Sequence, residues 1–248
     1  MPRCRCRRRA RYGSRVSVSS PDPQSVARGA AAAAALDLVQ PGMTLGLGSG
    51  RALWAVVEGI GRRWPDGPPV QAVAASERTA ELARAAGIEI VELGGRRLDL
   101  AIDGADEIDP RLGLVKGGGG ALLREKLVVC AAERFVVVAE ERKRVERLGR
   151  AFRLPVEIVP FGWRDTRERV LEITEDAILR ETDGDPYVTD EGHWILDCRL
   201  PAEGALGDIA AALKATVGVV EHGLFLGMAD VALLGRDDGT VVEVTPEG

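Results

Sequence analysis

Hydrophobic residues in this chain come in short bursts separated by polar, glycine-rich breaks, and the spacing within the bursts alternates. Positions 25–39 form an alanine-rich stretch with helical spacing, stopped by Pro41-Gly42. Positions 43–47 are an apolar run of strand length, and Gly48-Ser49-Gly50 turns it into a second helical stretch over 52–63. Strand-like runs follow at 70–74, 88–93, 98–102 and 135–139, and helical stretches at 77–86 and 122–133. Alternation at this pace implies βα crossovers and a mostly parallel sheet. The runs at 43–47 and 135–139 are apolar at successive positions, as expected of parallel strands covered on both faces.

The pattern changes near Gly149. Segments 156–161, 166–173, 177–180, 194–200, 206–216 and 217–222 read β-α-β-β-α-β, the order of a ferredoxin-like unit. Asp183-Gly184-Asp185-Pro186 and Asp190-Glu191-Gly192 supply its turns. Two last strand-like runs, 231–234 and 240–244, flank the turn Asp237-Asp238-Gly239 and are expected to rejoin the first domain. The expected class is therefore α/β. A Rossmann-like, mostly parallel domain (21–149 plus 223–248) carries a second, ferredoxin-like α+β domain (150–222).

Composition narrows the function classes. Apolar residues make up 46% of 248 positions but aromatics only 4%, so a core must rest on Val, Leu, Ile and Ala. No apolar run approaches the roughly 18 residues of a membrane span, so no membrane partner is expected. The net charge of −5 hides an asymmetry, because residues 1–20 hold seven arginines and no acid. Removing that +7 leaves the remainder near −12, which argues against nucleic-acid binding by the body of the protein. The arm 1–20 lacks hydrophobic periodicity and a secretory apolar core, and is expected to be disordered. It reads as an extension without function or an over-early start, with a nucleic-acid-binding tail as the alternative. Cys4 and Cys6 lie in the arm, while Cys130 and Cys198 stand among apolar neighbours and are expected in the core. No Cys or His spacing suggests a metal, His193 and His222 being far apart, and a reducing, cytoplasmic setting fits.

Candidate chemistry clusters behind the predicted strands, where an open α/β sheet binds ligands. Lys116-Gly117-Gly118-Gly119-Gly120 precedes a helix-forming run, so an ammonium, backbone N–H groups and a helix N-terminus meet in one place. That suits a phosphate or a developing oxyanion, and the alternative is a plain glycine linker. Glu125 falls about one turn into that helix, where it can serve as a base; the alternative is an internal ion pair with Arg124 or a nearby lysine. Asp103 and Asp106 flank Gly104-Ala105 after an apolar strand and can share a sugar, or can act as a helix cap and surface acids. Gly46-Leu47-Gly48-Ser49-Gly50-Arg51 fails the dinucleotide pattern because Arg51 takes the third glycine's place, leaving a phosphate turn or a plain turn. Lys143 ends a charged run of the kind that covers a solvated face.

These blocks, in this order, resemble type A ribose-5-phosphate isomerase. The likeness is carried by Gly48-Ser49-Gly50, Asp103-Gly104-Ala105-Asp106-Glu107, Lys116-Gly117-Gly118-Gly119 with Arg124-Glu125-Lys126, and the runs at 155–160, 189–192 and 218–225. It spans about 24–245. The resemblance implies an aldose–ketose isomerase of the non-oxidative pentose phosphate pathway. Such an enzyme interconverts ribose 5-phosphate and ribulose 5-phosphate through a cis-enediolate, with no metal or cofactor. It implies Glu125 as base and Asp103, Asp106 and Lys116 at the reactive end of the sugar, with the N–H groups of Gly117, Gly118 and Gly119 beside a developing oxyanion. Gly104 and Ala105 join them in the substrate-binding set. Ser49, Gly50, Arg51 and Ala52 fall in the phosphate loop, Arg28 near the phosphate, and Lys143 at a substrate-binding lysine. The family is often a homodimer or homotetramer. Its loop commonly continues Gly-Ser-Thr, where this chain has Gly50-Arg51-Ala52. Arg51 either grips phosphate bidentately or turns outward. The alternatives are a non-catalytic sugar-phosphate sensor on the same scaffold and, more distantly, a coenzyme A transferase.

Overall fold

The computed structural model describes residues 22–246; the basic arm 1–20, with Cys4 and Cys6, lies outside them. Asp22 opens the first helix by accepting a hydrogen bond from the Gln24 N–H at 3.3 Å. Pro23 sits in its first turn, where a missing N–H costs nothing. This helix, Pro23–Leu36 (α1), is followed by Thr44–Leu47 (β1), Arg51–Arg63 (α2), Gln71–Ala74 (β2), Glu77–Ala85 (α3), Glu89–Ile90 (β3) and Leu100–Asp103 (β4). Then come Glu107–Ile108 (β5), Leu114–Val115 (β6), Leu122–Cys130 (α4), Phe135–Glu140 (β7) and a 3-10 turn, Glu141–Lys143. A second run comprises Leu154–Ile158 (β8), Trp163–Leu171 (α5), Asp176–Leu179 (β9), Glu181–Thr182 (β10), Asp185–Pro186 (β11), Trp194–Arg199 (β12), Leu206–Ala215 (α6) and Val219–His222 (β13). Leu224–Phe225 (β14), Val231–Gly235 (β15) and Val241–Val244 (β16) complete the chain.

The main sheet has the order β16-β15-β7-β4-β1-β2-β3, parallel except for the edge strand β16. From β1 the chain moves outward through β2 and β3, then returns to the other side of β1 as β4. Strand order therefore reverses between β1 and β4, and their carboxyl ends open a crevice. Residues of α1, α2 and α3 bury one face of the sheet, while Val128 and Val129 of α4 and Phe225 bury the other. The second sheet, β13-β8-β12-β9, is antiparallel throughout, with Val170, Ile209 and Leu213 of α5 and α6 packed on it. This is the ferredoxin-like order expected from the βαββαβ reading.

A three-stranded sheet, β14-β6-β5, stands apart from both and has no counterpart in the sequence reading. Two-residue strands are too short to display alternation. Glu107, 1% exposed, lies at this junction. Its carboxylate accepts the N–H groups of Gly149 (2.5 Å), Ala151 (2.7 Å) and Phe152 (2.7 Å), pinning the segment that enters β8.

Other expectations need correction. The run at 88–93 shrinks to β3, and the helix at 122–133 stops at Cys130. Cys130, on α4, is exposed rather than in the core, and Leu127 on the same helix is 51% exposed. Helical spacing puts these two on the side away from Leu122, Glu125 and Val129, which an apolar composition does not reveal. Cys198 is fully buried, and burial pushes its thiol up to about 12. Among the described residues no helix is long and apolar enough to cross a membrane.

Glu107→Ala would strand three backbone donors, and stability measured by urea unfolding is expected to fall by at least about 3 kcal/mol. A loss below about 1 kcal/mol would show that the junction does not depend on this carboxylate.

Candidate active site

Strand β1 runs into Gly48, and the Gly48 N–H donates to Ile102 O of the neighbouring β4. A side chain at Gly48 is excluded, because a Cβ would lie 1.8 Å from the Asp103 Cγ. That contact allows Asp103, the last residue of β4, to fold its carboxylate under the β1 turn. Its Oδ1 accepts the N–H groups of Ser49 (2.9 Å) and Gly104 (2.7 Å). Its Oδ2 lies 2.8 Å from the Lys116 Nζ.

Lys116 follows β6, and its N–H bonds Gly223 O at 2.8 Å, which holds the strand end in place. Its ammonium also donates to Gly104 O at 2.8 Å and sits 3.3 Å from the Glu125 Oε2. The other Glu125 oxygen accepts the Ser49 hydroxyl. Asp103, Lys116 and Glu125 are each at most 3% exposed, so one buried cation faces two buried carboxylates. Burial and the neighbouring Glu125 raise the Asp103 carboxyl to about 7, against the pull of Lys116. Burial works against the charge on Lys116, but the carboxylates of Asp103 and Glu125 outweigh it and hold the ammonium well above its ordinary value. The sequence reading left an internal ion pair open for Glu125. The pair exists with a lysine rather than with Arg124: it is Lys116, which itself faces the cavity.

The glycine loop has a split role. Gly118 N–H is committed to Asp106 Oδ2 (2.8 Å) and Gly120 N–H to Gly117 O (2.9 Å), so the loop is not the open row of donors the sequence suggested. Its carbonyls are braced from the second unit. Tyr187 donates its hydroxyl to Gly119 O (3.0 Å), and the Arg180 Nη1 donates to the carbonyls of Gly117 (3.0 Å) and Gly118 (3.2 Å). Gly120, at φ 85°, cannot carry a side chain, since a Cβ would meet the Tyr187 hydroxyl at 2.3 Å.

A cavity of about 420 Å³ opens at the carboxyl ends of these strands. Ser49, Gly50, Arg51, Ala52, Gly104, Ala105, Asp106, Lys116, Gly117, Gly118, Gly119, Glu125, Arg28 and Lys143 all line it. Asp103 does not; it lies behind the wall and touches the cavity only through Lys116 and the loop it ties. Directly after Ser49, α2 begins at Arg51 with Gly50 as its cap (φ 91°) and no side-chain hydrogen bond at that cap. Arg51 is exposed there. Arg28 is ion-paired with Glu140 at 2.9 Å; burial pushes that carboxyl up, but a backbone N–H and Arg28 outweigh it and hold it below its ordinary range. Lys143, half-buried on the 3-10 turn, has no carboxylate within 4.0 Å among the described residues.

Asp190, read from the sequence only as a turn residue in the 189–192 run, also lines the cavity, as do four residues that the sequence reading did not single out, Trp54, Ser76, Arg78 and Tyr187. They come from α2, the start of α3 and the second unit, and no local motif marks them. Among the described residues no group of three or more His, Cys, Asp or Glu is placed to hold a metal ion.

Residues 71–239 match the family described as ribose 5-phosphate isomerase A (phosphoriboisomerase A). Ribose-5-phosphate isomerase A of Synechococcus sp. (strain JA-3-3Ab) is 49% identical over 214 residues, covering 85% of this chain and 93% of that protein. The Deinococcus radiodurans protein of the same name is 46% identical, covering 87% of this chain and 96% of its own length. The solved ribose 5-phosphate isomerase from Plasmodium falciparum superposes with a TM-score of 0.84 at 33% identity, over 91% of this chain and all of that one.

The raised Asp103 carboxyl has a consequence for stability. The folded protein keeps a proton there that the unfolded chain, near the ordinary 3.8, has released. Through this group, stability therefore falls as pH rises from about 4 to about 7. Asp103→Asn is expected to lose that part of the slope when urea unfolding is compared at the two ends of the range. An unchanged slope would remove Asp103 as its source.

Proposed function

The chain belongs to the ribose 5-phosphate isomerase A family and is an isomerase that interconverts ribose 5-phosphate and ribulose 5-phosphate, and we propose that Glu125 is the base that carries the reaction. The observation behind this is a buried carboxylate and a buried ammonium, Glu125 and Lys116, 3.3 Å apart and both facing one cavity. A proton carrier and a fixed positive charge are what a carbon-to-carbon proton shift requires.

With the open-chain aldose in the cavity, Glu125 takes the proton from C2. The C–H electrons form the C1–C2 double bond, and the aldehyde oxygen takes up negative charge. Lys116, oriented by Asp103 behind it, stabilises the resulting enediolate in a site where water is scarce. Glu125 returns the proton to C1. The C2 hydroxyl passes its proton to the oxygen on C1 and becomes the ketone. Asp106 offers its carboxylate to a sugar hydroxyl from the cavity wall. Asp103 is thus a positioning residue, and Ser49 steers the Glu125 carboxylate through its hydroxyl.

The phosphate goes to the turn that opens α2. The uncapped N-terminus of α2 presents N–H groups and a positive dipole end, with Arg51 at its first position. Lys143 approaches from β7, while Arg28 stays paired to Glu140. In this reading Arg51 replaces hydroxyl contacts with a charged grip. The sensor reading and the coenzyme A transferase reading have no observation in their favour. The free thiols of Cys130 and Cys198 support a cytoplasmic setting, and Phe161 (92% exposed) and Val217 (78%) offer apolar surface for self-association.

Glu125→Gln is expected to lower kcat about 1,000-fold or more while KM moves only a few-fold, in a coupled isomerase assay. Retained turnover would remove Glu125 as the base. Arg51→Ala is expected to raise KM for ribose 5-phosphate about tenfold, or about 1.4 kcal/mol, with kcat nearly unchanged. An unchanged KM would mean that Arg51 does not hold the phosphate.

A further inference from the structure

Gly118 is a wall shared by two cavities. Behind the glycine loop lies a second one of about 440 Å³, lined by Arg150, Arg153, Arg180, Arg199, Asp197 and Gly118 among others. Four guanidinium groups thus face one lining carboxylate, in a chain whose body is acidic. Arg180 grips Asp197 with its Nε (2.9 Å) and Nη2 (2.5 Å). Asp176, just behind, pairs with Arg153 and stands 3.8 Å from the Arg199 Nε. Arg199 is still more than half exposed, and Arg150 is exposed with no ion pair among the described residues. Two acids therefore offset two of four cations, and the remaining positive charge converges on one concave space.

We propose that this cavity is a second anion site, taking a ligand of the phosphate or pyrophosphate class, and that its occupancy acts on the active site through Arg180. Guanidinium forks approaching from several directions suit a tetrahedral polyanion better than a single carboxylate. The coupling path is short. The Nη1 of Arg180 donates to the carbonyls of Gly117 and Gly118, and the Gly118 N–H holds Asp106 in the catalytic cavity. An anion that draws Arg180 towards itself loosens those carbonyl contacts and the loop that positions Asp106 and Lys116.

The test uses the full-length protein with pyrophosphate as the probe, at constant ionic strength. Pyrophosphate also competes at the phosphate end of the active site, which raises KM. The second site shows itself as a fall in kcat, expected to be at least about fivefold at saturation. Calorimetric titration is expected to find two sites per chain. In Arg150→Ala/Arg199→Ala, kcat without pyrophosphate is expected to be unchanged. The fall in kcat disappears in that variant, one binding site is lost, and the KM effect remains. Both side chains are exposed, so the fold is not at stake, and Arg150→Glu provides a second variant with the same expectation. Purely competitive inhibition of the wild type, a single site per chain, or a fall in kcat that persists in the variants would overturn the proposal.

Discussion

One buried ammonium organises this protein. Lys116 sits between Asp103 and Glu125 with almost no access to solvent. Taking three charges out of water is costly, and removing one partner of such a cluster typically costs about 3–5 kcal/mol. The arrangement persists because every member is held from its own element. Asp103 is tied by backbone N–H groups at the end of β4, Lys116 is locked by the Gly223 carbonyl between β13 and β14, and Glu125 rides on α4. Burial, with the Glu125 carboxylate beside it, pushes Asp103 up, while the two carboxylates together keep Lys116 charged. The result is a fixed, buried cation beside the cavity, flanked by two carboxylates.

Topology brings the parts to one place. The strand-order reversal between β1 and β4 leaves a crevice, and Gly48 lets the two strand ends close to contact distance. The second unit then reaches back over the glycine loop with Tyr187 and Arg180, so the cavity wall is braced from both units. Three consecutive charged residues on α4 show how finely the helix is placed. Arg124 points to Glu77 (2.8 Å) and Glu191 (2.5 Å), Glu125 to Lys116, and Lys126 to Glu221 (2.8 Å) over the ring of Phe225. Successive residues diverge by about 100°, so a single helix anchors to three parts of the molecule at once. Burial would raise Glu221, but its hydrogen bonds from Lys126 and Lys214 hold it at about 2, which keeps that anchor ionised.

Much of this was legible from sequence, for reasons that differ by element. The βα alternation reports burial directly, because parallel strands covered by helices must be apolar at successive positions. β5, β6 and β14 left no such trace, since two residues cannot display a period. The buried face of α4 was visible as composition but not as orientation, and Cys130 went to the wrong side. Lys143 ends a charged run that looks like ordinary solvated surface; only the family resemblance marked it, and the structure places it on the cavity lining with Arg51.

The sequence by itself determined the two-part architecture, the glycine turns and the residue types that gather at the strand ends, because each rests on local spacing and backbone freedom. Only the tertiary structure decided that Lys116 rather than Arg124 answers Glu125, that Asp103 works from behind the wall, and that Arg180 and Tyr187 brace the loop from a different sheet. Those outcomes depend on distances between elements far apart in the chain, and electrostatic energy in a buried site is set by such distances and by the exclusion of water, neither of which a linear pattern encodes.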